Sequence, residues 1–278
     1  MAIVNQLTLS GLTGFLYLVL GIHFWCTRWR AANTSAGLRL SAAQEKSAIG
    51  ITLFLHALLL KLALFAGGNL HFSFSLAFSL MIWLATLIYW LESFRVRMDG
   101  LQPIVLPAGA LAILLTLCFP ESHSVPHAET WNFRLHFLTA MLALSLALLA
   151  AAHAILMSLV EKGMRRPQRS QRLANMPPLL AMENLLFRML SAAFLLLTLT
   201  LCFGFLYSQT LFGHAPDFNH KTIFTLISWL IFAALLIGRH VWGWRGRKAL
   251  RFTLSGFVAL LLAYVGSRFV LEVLLHRF

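Results

Sequence analysis

The run NFRLHFLTAMLALSLALLAAAHAILMSLV, residues Asn132–Val160, decides the fold. From Phe137 to Val160 it holds no Asp, Glu, Lys or Arg, and its only ionisable side chain there is His153. A helix needs about 20 mostly apolar residues to cross a hydrocarbon core roughly 30 Å thick. A helix this apolar on every face belongs in lipid or in the centre of a helical bundle. Working outward, seven further runs have the same character: Gln6 to Cys26, Ala48 to Gly67, Phe74 to Phe94, Gln102 to Phe119, Leu185–Tyr207, Thr222–Gly238 and Phe252–Val273. Together they use most of the chain. The expectation is an all-α polytopic transmembrane helix bundle of about eight spans, one integral membrane domain over residues 1–278 with no separate soluble domain.

Composition agrees. Of 278 residues, 59% are hydrophobic and 11% charged, with a mean hydropathy of +0.79. An ordinary soluble domain is about a quarter charged, so these charges are too few to cover a globular surface. Disordered chains are polar and poor in aromatics, which excludes that class too. The net charge of +13 does not mark a nucleic-acid binder, because the basic residues sit between apolar runs rather than on one solvated face.

The charge pattern sets an orientation. Residues 27–47 carry Arg28, Arg30, Arg39 and Lys46, and Arg95 and Arg97 follow the third run. Residues 161–183 carry Lys162, Arg165, Arg166, Arg169 and Arg172, and GRHVWGWRGRKALR (238–251) carries Arg239, Arg245, Arg247, Lys248 and Arg251. The alternate loops, 66–73, 120–131 and 208–221, hold one Lys and no Arg. Cytoplasmic loops are enriched in Lys and Arg, so both termini are expected outside. The first run reads as a span and not a cleavable signal, since no Lys or Arg precedes it and Arg28 and Arg30 follow it. In the basic loop, Pro177 and Pro178 suit the first turn of a helix that continues into the sixth run. The loop itself reads as an anchor on anionic lipid.

Several chemistries lack their motifs. Cys26, Cys118 and Cys202 are isolated, with no CxxC or CxxCH, which gives no support to a zinc ribbon, a dithiol site or covalent haem attachment. No P-loop or dinucleotide fingerprint occurs. The eleven histidines remain. His23, His56, His153 and His240 fall toward the inner side, with His23, His153 and His240 expected to be solvated at the interface. His71, His123, His127, His136, His214, His220 and His276 fall toward the outer side. His56 lies deep enough to face the bundle, where it has two readings, an interhelical hydrogen bond or a functional group inside the membrane, whereas Lys61 can snorkel outward. His136 lies about one turn into the outer end of its run, just after Trp131 and Arg134. That grouping has two readings. Trp131 and Arg134 are interface anchors and His136 bonds a neighbouring helix; or imidazole, ring and cation meet a flat, acidic amphipath such as haem.

Three later stretches carry a family resemblance: MPPLLAMENLLFRMLSAAFLLLTLTLCFGFLYS (176–208), HKTIFTLISWLIFAALLIGR (220–239) and GWRGRKALRFTLSGFVALLLAYVGSRFV (243–270). The Gly-Trp-Arg-Gly-Arg string with Ser228-Trp229 upstream is its most specific part. The chain resembles the cytochrome c assembly (CcsA/CcmC-type) membrane family, and within it the YpjD-like and HemX-like branch, most clearly over residues 130–273. The resemblance implies a bacterial inner-membrane protein that handles haem or a porphyrin precursor at the outer face. Synthases of this family hold haem between two outer histidines beside a Trp-rich loop, with a further histidine inside the membrane. His136 coincides with the first outer histidine, and Lys221 and Trp229 match the span after the Trp-rich loop. Where that loop belongs, this chain reads HAPDFNHKT (214–222), with no Trp and with Asp217 out of register. The intramembrane histidine falls near Ile237, one turn before His240, and the second outer histidine near Leu275, beside His276. The resemblance therefore implies haem binding without a full synthase site and without thioether formation. His136 is the expected iron ligand. His276, His220 and His214 are the candidate second ligands, Arg134, Lys221 and Arg268 the candidate propionate partners, and Trp131 and Phe218 the rings placed to stack. Two other readings stay open: a regulatory protein of haem biosynthesis that docks a membrane or cytosolic partner through loop 161–183, and a small-molecule permease.

Overall fold

The computed structural model describes residues 2–30, 40–65, 70–96, 98, 100–120, 123–124, 130–164, 177–206 and 220–266. Among the described residues, eight helices fall on the eight apolar runs. Helix α1, Ala2–Phe24, passes directly into a π-helical turn, Trp25–Arg30. Ser41 starts α2, Ala42–Leu64, with a capping box: its hydroxyl accepts the Gln44 N–H and the Gln44 side chain accepts the Ser41 N–H. Ser73 caps α3, Phe74–Glu92. Helix α4, Gln102–Cys118, has Pro103 in its first turn, where a missing N–H leaves no helical bond unmade. Then come α5, Trp131–Met164, and α6, Leu179–Leu206, which starts directly after Pro177 and Pro178. Helix α7 is His220–Trp242, and α8, Arg247–Leu261, ends in a second π-helical turn, Leu262–Gly266. Seven of the helices are long and apolar enough to cross a membrane.

The fourth helix is the exception. At 17 residues it is about 26 Å long, short of the roughly 30 Å core. It still reaches from one end of the bundle to the other. The Trp29 indole donates to the Gly100 carbonyl just before it, and the Ser75 hydroxyl donates to the Phe119 carbonyl just after it. It packs on α1 through two reciprocal fits. A side chain at Gly21 would meet the Pro107 ring at 2.9 Å, and one at Gly109 would meet the Tyr17 ring at 2.8 Å.

Helix α5 is the central element and packs against α3, α6 and α8. Its buried positions include Ala140, Ala143, Ala147, Ala150, Ala151 and Ala154. Small residues let helix backbones approach closely where lipid tails supply no hydrophobic drive.

The four basic segments gather at one end. There Glu45 holds His23 at 3.1 Å and Arg28 at 2.8 Å, and Glu92 holds Arg188 at 2.9 Å. Glu183 holds Arg239, with Arg245 at 3.6 Å. Each carboxylate thus ties two helix ends together: α1 to α2, α3 to α6, and α6 to α7. The Trp244 ring packs over Gly238, where an added Cβ would lie 2.4 Å from it, and the Trp244 N–H donates to the Gly238 carbonyl. Gly238→Ala forces that indole aside. We expect a loss of about 1–3 kcal/mol, read as a lower melting temperature in detergent; an unshifted melt contradicts the packing. The opposite end carries a two-stranded ribbon, His71–Phe72 antiparallel to His123–Ser124. Here the Phe72 ring meets Phe137 of α5 edge-on at 5.2 Å. This is the histidine end.

Candidate functional site at the histidine end

His136 stands in the second turn of α5, half-buried against α6. Its Nδ1 lies 3.1 Å from the Thr200 carbonyl oxygen. A carbonyl only accepts, so Nδ1 carries the proton, and in the neutral ring Nε2 is left with the lone pair. The ring fits because position 204 lacks a side chain: a Cβ on Gly204 would stand 3.3 Å from the His136 Cε1. Thr200 and Gly204 lie one turn apart on α6 and together define where the imidazole sits.

Lys221 joins the site from the first turn of α7. Its Nζ lies over the Tyr264 ring at 5.4 Å from the centroid. Tyr264 comes from the π-helical turn that ends α8. Below Lys221, Trp229 donates its indole N–H to the Thr198 hydroxyl at 2.9 Å and stacks on Phe194 at 5.4 Å. This layer locks α7 to α6 beneath the site. At this end α5, α6, α7 and the turn after α8 thus contribute His136, Thr200, Lys221 and Tyr264.

Of the residues expected from sequence, Lys221 stands in the first turn of α7 and His136 on α5, at the same end of the bundle. Trp131 and Arg134 lie on the same helix end, exposed, with Trp131 at 69% of its full area. His220 is exposed at the start of α7. His214, Phe218, Arg268 and His276 lie outside the described residues, as do residues 165–176 of the basic loop. Among the described residues no group of three or more His, Cys, Asp or Glu is placed to hold a metal ion. Thr200, Gly204 and Tyr264 were not expected. A carbonyl and a missing side chain have no motif, and Tyr264 reaches Lys221 only through helix packing.

The other membrane histidines are structural. His56 places Nδ1 3.0 Å from the Tyr17 hydroxyl and Nε2 2.9 Å from the Ser79 hydroxyl, so both ring nitrogens are engaged in the buried α1–α2–α3 core. His153 departs from its expectation of a solvated position. It is 2% exposed, and its Nε2 donates to the Met182 carbonyl of α6. His23 also departs, being half-buried in the Glu45 ion pair. His240 is exposed and bonds the Leu236 carbonyl of its own helix.

Comparison with known proteins gives the same neighbourhood. The family model described as Cytochrome C assembly protein matches residues 47–275. Inner membrane protein YpjD of Escherichia coli (strain K12) is 28% identical over 229 residues, 81% of this chain and 85% of its own length. Cytochrome c biogenesis protein CcsA of Prochlorococcus marinus (strain NATL1A) is 33% identical over 97 residues, 35% of this chain and 30% of its own. The CcsA of Microcystis aeruginosa is 34% identical over 85 residues, 31% of this chain and 26% of its own. No solved structure matches.

Proposed function

Because the chain belongs to the cytochrome c assembly protein family, we propose that it handles haem, or a porphyrin precursor, at the histidine end of its bundle. It is a multi-pass protein of the inner membrane. On the charge-bias rule the basic end faces the cytoplasm, which puts His136 at the outer face.

The observation that carries the reading is the His136–Thr200 hydrogen bond. Histidines that bind metals almost always donate their other ring N–H to a carbonyl or carboxylate, which fixes the tautomer and aims the ring. His136 has this arrangement, with Nε2 in the ligating form. Bound haem supplies an iron centre for redox chemistry or transfer. The chain's own residues would hold and orient it: His136 would ligate the iron, Lys221 and Arg134 would pair with the propionates, and Trp131 and Trp229 would be apolar neighbours. His220, His214 and His276 are the candidates for a second ligand, with Arg268 a further propionate partner. No catalytic group is assigned.

The test is an absorption titration of the purified, detergent-solubilised protein with haemin. A saturable Soret band at about one haem per chain is expected; no binding at micromolar haemin ends the reading. Gly204 offers a second check. Gly204→Leu drives a side chain into the His136 ring and should weaken haem binding about 10–100-fold, the usual range when a ligand loses its support. Its melting temperature should stay near that of the wild type. Unchanged haem affinity in Gly204→Leu contradicts the placement of the ring.

A further inference from the structure

The Gly-Trp-Arg-Gly-Arg string, Gly243–Arg247, has no part at the histidine end. It forms the turn between α7, which ends at Trp242, and α8, which starts at Arg247. Gly243 and Gly246 turn the chain at φ +63° and +57°, a backbone region that residues with a Cβ rarely enter. The turn is held firmly. Trp244 packs over Gly238 of α7, and Arg239 and Arg245 share the Glu183 carboxylate of α6.

Three exposed cations follow on α8: Arg247, Lys248 and Arg251. Arg247 and Arg251 stand one turn apart on one face, while Ala249, Thr253 and Gly256 bury the opposite face. Among the described residues Glu45 holds Arg28, Glu92 holds Arg188 and Glu183 holds Arg239, but no carboxylate pairs with Arg247, Lys248 or Arg251. The Lys248 ammonium lies over the Trp244 ring at 5.5 Å from its centroid. Trp242 is exposed and stacks on Trp244 at 5.6 Å. Tryptophan collects at the headgroup level of a bilayer, so the two indoles mark the depth of the turn. Arg251 lies about 6 Å further along α8, inside the candidate span Arg247–Val265. An unpaired charge is costly there, and its long stem lets the guanidinium rise to a phosphate at headgroup level.

We propose that Arg247, Lys248 and Arg251 form a binding site for the phosphodiester of an anionic phospholipid, with Trp242 against the start of its acyl chains. The headgroup supplies the negative charge that the described carboxylates give to other cations. A zwitterionic lipid fits less well, because its own ammonium offsets its phosphate. The site lies at the opposite end of the bundle from His136 and stands independently of the haem reading.

The experiment titrates the full chain in neutral detergent with a fluorescent-tailed phosphatidylglycerol and with phosphatidylcholine carrying the same tails. Each cation near an anionic headgroup gives about a fivefold gain, so the wild type should prefer phosphatidylglycerol about 100-fold and saturably. Arg247→Gln, Lys248→Gln and Arg251→Gln combined should abolish that preference. Phosphatidylcholine affinity and the melting temperature without added lipid should stay unchanged, which reports an intact fold. Arg247→Lys with Arg251→Lys should keep most of the preference. A charge-matched variant, Lys46→Gln, Arg95→Gln and Lys162→Gln, should also keep it. Equal loss in that variant shows that only the summed charge of this end matters, and overturns the site. Displacement of the lipid by micromolar inorganic phosphate overturns the lipid assignment in favour of a soluble phosphate. Equal affinity of the wild type for both lipids overturns the proposal and turns the patch toward an acidic protein surface.

Discussion

The His136→Ala protein is expected to bind haem at least about 100-fold more weakly than the wild type, because loss of a supporting partner alone costs about 10–100-fold and this change removes the ligand itself. The Soret band that remains should move toward that of haem in detergent micelles. Alanine at this position keeps α5 helical, since alanine is the best helix former. It leaves an imidazole-sized space beside Thr200 and Gly204, the two α6 positions that define the ring's place. Excess free imidazole should enter that space and restore the band. Rescue separates ligation from folding, because a misfolded site has no shaped gap to refill. Equal affinity and an unshifted Soret band in His136→Ala would remove His136 from the site. The same outcome would return the neighbouring Trp131 and Arg134 to the role of interface anchors.

The helical layout was legible because it depends on sums over long stretches. Twenty apolar residues in a row admit one solution in a membrane, and the basic loops alternate without exception. Among the described residues, Glu45, Glu92 and Glu183 join the helix ends that flank these segments. Histidine roles were legible only in part, because each depends on one partner. The expectation that His56 bonds another helix held, but Tyr17 and Ser79 lie 39 and 23 residues away, and only helix order brings them together. His153 was misplaced for a geometric reason. Helix α5 runs to Met164, so His153 stands about three turns inside the helix end, where α6 covers it. Lys221 was named through the family resemblance, but its aromatic partner Tyr264 was not. A Tyr 43 residues downstream has no periodic relation to it, and the π-helical turn that aims it has no sequence signature.

Replacing His56 by alanine is expected to lower stability by about 3 kcal/mol. Two physical terms add. Removal of a large buried side chain leaves a cavity, which in cores costs about 2–5 kcal/mol when the site cannot collapse. The change also leaves the Tyr17 and Ser79 hydroxyls, 0% and 2% exposed, without the ring that each faces. An unsatisfied buried polar group costs about 1–3 kcal/mol, reduced at Ser79 because its hydroxyl can turn to a carbonyl of its own helix, as those of Thr13 and Thr52 do. Interhelical hydrogen bonds in membranes average only about 0.6 kcal/mol in double-mutant cycles, so the cavity should dominate. The variants separate these terms. Tyr17→Phe removes one hydrogen bond and no volume, and should cost about 1 kcal/mol or less; His56→Gln restores volume and both bonding functions, and should recover most of the loss. The fit of α4 adds a constraint, because Gly109 lies against the Tyr17 ring and stops that ring from moving into the space. Melting temperatures in one detergent, ranked wild type, His56→Gln, Tyr17→Phe and His56→Ala from high to low, are the expected result. If His56→Ala instead melts with the wild type, the triad does not hold α1, α2 and α3 together, and the intramembrane imidazole must be explained by function.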